Sequence, residues 1–283
     1  MSVTLRTSTK KLIELIELLS LKKGKNALLD PVLIKFESEK MIIDTMSKAG
    51  NIGIYAIINP YQMFDSYECN SENLKVTFPA DLVDHLKPFK HYDIEVRVKE
   101  DEVEITGKYR YKFKTYKITD TVEFKKEPVL TEIGLLMPFR VPYIGHWVID
   151  ADSVMEVVKS LKKMKFEEFI INYNLETKEL EVGANLEQFR EFSVKISVIE
   201  FYNPIKVVED ISGISEEAKV GIVKLPINVV EHIFDNLEGN VILSLTWDPN
   251  RKSAGPILIS QKHMSPNNEL VWMFTIVVAP FYE

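Results

Sequence analysis

The chain has one cysteine, Cys69, in 283 residues. An internal disulfide is therefore excluded, and the composition suits a reducing compartment. Positive charge is not in excess: 35 Lys and Arg against 42 Asp and Glu give a net charge of −7. That balance excludes a general nucleic-acid coat but leaves room for a local basic surface. No apolar run approaches the roughly 20 residues of a membrane span, and the N-terminus "MSVTLRTSTKKL" has no apolar signal core. A soluble intracellular protein that avoids membranes is expected. Catalytic signatures are missing as well: there is no phosphate-binding glycine loop, no G-x-S-x-G and no H-E-x-x-H. The five histidines, His85, His91, His146, His232 and His263, do not fall at metal-ligand spacings. His85 and His91 are off one helical face, and neither cysteines nor an acid cluster complete a set. Cys69 sits in a strand-like pattern and reads as a packed thiol. No enzyme, cofactor or metal is expected.

What the chain does have is 46% hydrophobic residues, enough to bury a core, and a length that suits one large or two ordinary domains. It also repeats itself. "FPADLVDHL" at 78–86 returns as "LPINVVEHI" at 225–233. Pro79 and Pro226 suit a first helical turn. Beyond Pro226, Val229, Val230, Ile233, Phe234 and Leu237 share one side of a helix, and Asn228, Glu231, His232 and Asp235 the other. A second pair recurs at nearly the same spacing. Leu12, Leu15, Ile16 and Leu19 of "LIELIELL" correspond to Val154, Val157, Val158 and Leu161 of "VMEVVKSL".

Each of the four helices precedes period-2 alternation around a polar turn. The turns are predicted at Glu37–Lys40, at Lys99–Glu102, near Glu176–Lys178 and at Asp248–Asn250. Further strands are predicted in "GIYAIINPYQMFDSYEC", "YRYKFKTYKI", "EFSVKISVIEF" and "VWMFTIVVAPF". The fold class is therefore α+β: two similar domains, each of two helix-plus-antiparallel-strand units. The halves are residues 1–118 and 148–283. Residues 119–147, with Pro128, Pro138 and Pro142 and no clear period, form a long connector.

With this organisation, the chain resembles a DNA sliding clamp of the proliferating cell nuclear antigen (PCNA) family. "FDSYEC" (64–69), "DTMSKAGNIGIYAI" (44–57) and "VVAPFYE" (277–283) resemble that family's strand, strand–turn–strand and Ala-Pro tail patterns. The resemblance spans nearly the whole chain. It implies a ring, most simply a homotrimer, with the helices inside and the sheets outside. It also implies a processivity factor for DNA replication and repair. Such a factor encircles duplex DNA without reading its sequence, and tethers DNA polymerase and other proteins carrying a clamp-binding motif. A separate ATP-dependent clamp loader would open it. The expected location is the nucleoid-bearing cytoplasm of a prokaryotic or viral system, or the nucleus of a eukaryote.

The resemblance also assigns surfaces. Lys10, Lys11, Lys22, Lys23, Lys87, Lys90, Lys159, Lys162 and Lys163 would face DNA, as mobile point charges that follow phosphates. Acidic groups on the second and fourth helices, Asp81, Asp84, Glu231 and Asp235, depart from a uniformly basic channel. Met46, Ile52, Val129, Leu130, Ile133, Leu135, Leu136, Pro256, Val278, Ala279 and Pro280 would line the groove for partner motifs. Tyr109, Tyr111 and Phe113 would lie on an edge strand at the subunit interface, pairing near residues 180–189 of a neighbour. The rival readings are a subunit of a heteromeric or checkpoint clamp, a viral processivity factor that grips DNA without closing a ring, and an enzyme on a duplicated α+β fold.

Overall fold

A computed structural model describes residues 2–71, 73–115, 124, 129–131, 134–137, 142–186, 190–203, 218–248 and 251–280. The chain divides into two compact units. Unit 1 comprises residues 1–127 and 262–275; unit 2 comprises 128–261 and 276–283. Among the described residues, no helix is long and apolar enough to cross a membrane.

Unit 1 opens with β1 (Ser2–Ser8) and α1 (Thr9–Ser20). Then come β2 (Val32–Phe36), β3 (Met41–Met46), β4 (Ile52–Ile58), β5 (Ser66–Cys69) and β6 (Leu74–Phe78). The short helix α2 (Leu82–Leu86) follows, and then β7 (Asp93–Lys99), β8 (Glu102–Thr106) and β9 (Arg110–Lys114). One sheet has the order β9-β8-β7-β1-β5. In the other, the order is β6-β2-β3-β4. The chain's last strand, β18 (Leu270–Val278), is the next neighbour of β4, and its residues 270–275 belong to unit 1.

Unit 2 repeats the scheme. It runs β10 (Tyr143–Asp150), α3 (Ala151–Lys163), β11 (Glu168–Asn174), β12 (Glu179–Leu186), β13 (Arg190–Ile196) and β14 (Val198–Tyr202). Then come β15 (Val220–Pro226), α4 (Ile227–Phe234), β16 (Asn240–Asp248) and β17 (Ile257–Met264). The sheet orders are β18-β17-β16-β10-β14 and β13-β12-β11-β15. Adding nine to each strand number of unit 1 reproduces both orders, so the duplication read from two helix pairs extends to every described strand of more than two residues. The last hairpin contributes to both units: residues 262–275 count with unit 1, and 257–261 and 276–278 with unit 2.

The four predicted helices form where the apolar spacing places them. Ser8 caps α1 by accepting a hydrogen bond from the Lys11 amide at 3.3 Å, and Leu12, Ile13, Leu15, Ile16 and Leu19 are buried. Asp150 caps α3 through the Ser153 amide at 2.9 Å. Val154, Met155, Val157, Val158 and Leu161 are buried, and Lys162 and Lys163 complement the negative end of the helix. The prolines differ from expectation. Pro226 is the N-cap residue of α4, and Pro79 precedes Asp81, the N-cap of α2. The predicted turns at Glu37–Lys40, Lys99–Glu102 and Glu176–Lys178 lie between β2 and β3, β7 and β8, and β11 and β12.

Four strands, β1, β6, β10 and β15, lie where no alternation was read. β1 has few large apolar residues, and β10 is buried on both faces over residues 143–149, which erases a period-2 signal. β10 begins inside the stretch read as connector. Trp147 on β10 is fully buried against Tyr173 and Phe201 and donates its indole N–H to the Lys178 carbonyl at 3.1 Å. On the same strand, burial pushes His146 down to about 4, and its Nδ1 lies 2.7 Å from Ser244 Oγ.

The close approach of β12 to β13 requires a glycine. A Cβ at Gly183 would sit 1.9 Å from the Phe192 carbonyl oxygen, which is backbone and cannot swing aside. Gly183→Ala should therefore force the two strands apart and cost about 1–3 kcal/mol, the range for an overpacked core. Chemical denaturation of the purified variant measures this; an unchanged midpoint would contradict the tight packing.

Candidate functional site

In unit 1, Lys10 and Lys11 project from α1 and are exposed. Lys10 lies 3.5 Å from Glu14, and Lys11 3.7 Å from Asp65. Lys87, just beyond α2, reaches Glu17 of α1 at 3.2 Å and Asp84 at 3.5 Å. Lys90 is exposed and has no ion pair among the described residues. Lys22 departs from the expected DNA-facing set. Leu21 turns the chain with a left-handed φ of 50°, and Lys22 enters a two-residue ladder opposite Ala27. Its side chain is only 2% exposed, and its ammonium is 3.0 Å from Asp84. A buried, paired lysine cannot follow a phosphate backbone. Lys23, in the same ladder, is half-buried.

In unit 2, Lys159, Lys162 and Lys163 are all exposed on α3. Lys159 and Lys163 have no ion pair among the described residues. Lys162 is bound to Glu231 on α4. Asn228 on α4 and Asp235, its C-cap, are exposed, and His232 is half-buried between them. The basic face of α3 thus borders the acidic face of α4.

The partner-groove residues divide between the units. In unit 1, Met46 is half-exposed and Ile52 buried, on either side of a turn closed by Ser47. The Ser47 carbonyl accepts from the Gly50 amide at 2.8 Å, and the Ser47 hydroxyl accepts from the Ile52 amide at 3.2 Å. Sequence reasoning missed Phe124. It is buried on this hairpin, its amide donates to Asp44 Oδ1 at 2.7 Å, and its ring meets Tyr55 edge-on at 6.5 Å. A bare aromatic in an aperiodic segment carries no signal that could have found it. In unit 2, Val129 and Leu130 form a short ladder with Leu136 and Met137, and are 38% and 57% exposed. Leu135 and Leu136 are buried. Val278 and Pro280 are buried, while Pro256 and Ala279 are half-exposed. Ile133 lies outside the described residues. The apolar side chains that remain open to a partner are Met46, Val129 and Leu130, with parts of Pro256 and Ala279.

The expected interface aromatics sit on or beside the edge strand β9. Tyr109 precedes it and is exposed; Tyr111 and Phe113 are half-buried. Tyr109 contacts Phe89 at 4.4 Å, Tyr111 stacks on His85 at 5.3 Å, and Phe113 meets Phe78 at 5.9 Å. The other face of the strand is charged: Arg110 pairs with Glu104, and Lys112 with Glu102 at 2.9 Å. The partner edge expected near 180–189 needs correction. β12, Glu179–Leu186, is paired on both sides, with β11 and with β13. The open edge of that sheet is β13, whose only strand neighbour among the described residues is β12.

Among the described residues, no group of three or more His, Cys, Asp and Glu could hold a metal ion.

No family model matches the chain, and no curated protein matches it in sequence. Solved structures do match it along its whole length. The PCNA of A. fulgidus, bound to the C-terminal region of FEN-1, aligns with a TM-score of 0.69 at 13% identity, over 99% of each chain. The PCNA of Entamoeba histolytica aligns at 0.68 and 12% identity, over 99% of each. In the PCNA2–PCNA3 complex of Sulfolobus tokodaii, the score is 0.62 at 12% identity, over 99% of this chain and all of that one. The chain therefore has the fold of the PCNA sliding clamps.

The Lys22–Asp84 pair gives a test of the packing beneath these faces. The hydrogen bond from Lys22 holds the Asp84 carboxyl below its ordinary range, aided by Lys87. A carboxyl depressed in the folded state stabilises above its unfolded pKa, and this stability is lost as pH falls through the folded value. Asp84→Asn should cost about 1 kcal/mol or somewhat more at neutral pH, because Lys22 is enclosed although solvent reaches Asp84. The gap between variant and wild type should close below about pH 4. Denaturation midpoints across pH measure it; a gap that stays constant into acid would show that the pair does not carry the effect.

Proposed function

We propose that the chain is a sliding clamp: a non-catalytic ring of identical chains, three in the simplest case, that encloses duplex DNA and tethers the proteins working on it. One observation carries the proposal. Within one chain, β18 lies beside β4. One repeat away, their counterparts are β9 and β13, and among the described residues each has a strand neighbour on one side only. The junction that the chain makes once with itself can thus be made again by β9 of one copy and β13 of the next. Such head-to-tail contacts close into rings when the rotation allows. Open edges left unpaired are a liability for a soluble protein, and a ring removes them.

The fold likeness supports the same reading. One of the similar clamps is solved with a segment of FEN-1 bound, and another as a complex of two PCNA chains. By analogy, partners of this chain would insert an apolar motif against exposed side chains such as Val129 and Leu130. A tethered polymerase rebinds its template at high effective concentration, so processivity rises without a tight DNA contact. Opening the ring would fall to a separate ATP-dependent loader.

Two measurements test this. Solution mass should be a multiple of one chain, and the assembly should be retained on circular duplex DNA and lost when the circle is cut. Successive residues of an edge strand point their N–H groups to opposite sides. Of Tyr111→Pro and Lys112→Pro, one therefore removes an outward donor and leaves the β8–β9 ladder intact. That variant should be monomeric and folded. A monomeric wild type, or two proline variants of unchanged mass, would sink the ring; a wild type that assembles only with a related chain would make it one member of a heteromeric clamp.

The partner surface has its own test. Val129→Asp and Leu130→Asp should each weaken binding of a clamp-motif peptide about tenfold or more, as loss of an anchor at an interface does, with assembly mass unchanged. Normal peptide affinity in both variants would place the groove elsewhere.

A further inference from the structure

We infer that Glu231 sets the strength of DNA contact by holding Lys162 away from phosphates. The inference rests on the proposed DNA-facing role of the helix faces. α3 packs on α4, and across that contact Lys162 is bound to Glu231. The Glu231 side chain is only 14% exposed, so the carboxylate is sheltered and the lysine is drawn in toward it. Lys159 and Lys163, on the same helix, carry no such counter-charge among the described residues. Unit 1 has the same device with the polarity reversed: Lys87 beside α2 is held by Glu17 of α1, and again by Asp84. A phosphate can recruit a lysine only by displacing the carboxylate already bound to it. The two helix pairs therefore present fewer usable cations than their sequence suggests. That suits a surface meant to slide, since each additional phosphate contact raises affinity and its salt dependence together.

The experiment is a salt titration of duplex DNA binding by the whole chain and its variants. Releasing Lys162 by Glu231→Gln should steepen the slope of log affinity against log salt by about 0.9, the contribution of one phosphate, which is roughly eightfold tighter binding near tenth-molar salt. Glu156→Gln, on α3, removes the same charge without freeing a lysine and should change the slope less. Lys162→Gln alone should leave the slope near that of wild type. Added to Glu231→Gln, it should abolish the gain. Solution mass confirms that each variant is assembled like wild type. The proposal is overturned if Glu231→Gln keeps the wild-type slope while a Lys159→Gln/Lys163→Gln double variant flattens it. It is equally overturned if Lys162→Gln alone flattens the slope as much as Lys159→Gln does. If wild type shows no salt-dependent affinity and the double lysine variant changes nothing, the DNA reading itself fails, and this proposal falls with it.

Discussion

A β-sheet must end somewhere, and its last strands carry backbone N–H and C=O groups that need partners. In this chain, the same nine-strand pattern is laid down twice, so each kind of edge occurs twice. The chain closes one copy of the relevant pair by setting β18 beside β4. The other copy, β9 and β13, cannot be closed in the same way, because no strand follows β9 to reach β13 within the described chain. A duplicated chain of this kind is complete in one junction and incomplete in its twin. Under the proposed reading, assembly is the way that twin is satisfied.

The charge pattern fits a protein held in place by topology. With a net charge of −7, the chain does not hold nucleic acid by bulk attraction. Exposed lysines lie on strands and turns as well as on the helices, and several on or beside the helices are already bound: Lys10 to Glu14, Lys87 to Glu17 and Asp84, Lys162 to Glu231. Surface pairs of this kind add little stability. Their effect falls on availability, since a lysine that already has a carboxylate is a weaker ligand for a phosphate. An enclosing protein can accept that, because enclosure and not affinity would keep it on DNA.

Much of the fold was legible from residues close together in sequence. The stripes Leu12, Leu15, Ile16, Leu19 and Val154, Val157, Val158, Leu161 are buried as their spacing requires, and the charged turns fall between the strands that flank them. The signal failed where burial removed its contrast. β10 is covered on both faces and shows no alternation. Phe124 is one aromatic in an aperiodic stretch, yet it is buried beside Tyr55. Lys22 reads like its exposed neighbours, but the left-handed turn at Leu21 sends it inward to Asp84.

The sequence by itself determined the duplication, the four amphipathic helices and the placement of basic residues on their polar sides. These depend on periodicity, which is a local property of the chain. Only the tertiary structure decided which strand edges stay open, which lysines are already neutralised and which apolar side chains remain uncovered. β13 rather than β12 carries the open edge, and Glu231 meets Lys162 across two helices far apart in sequence. Edge pairing and ion pairing between elements depend on which segments fold side by side, and local spacing carries no record of that.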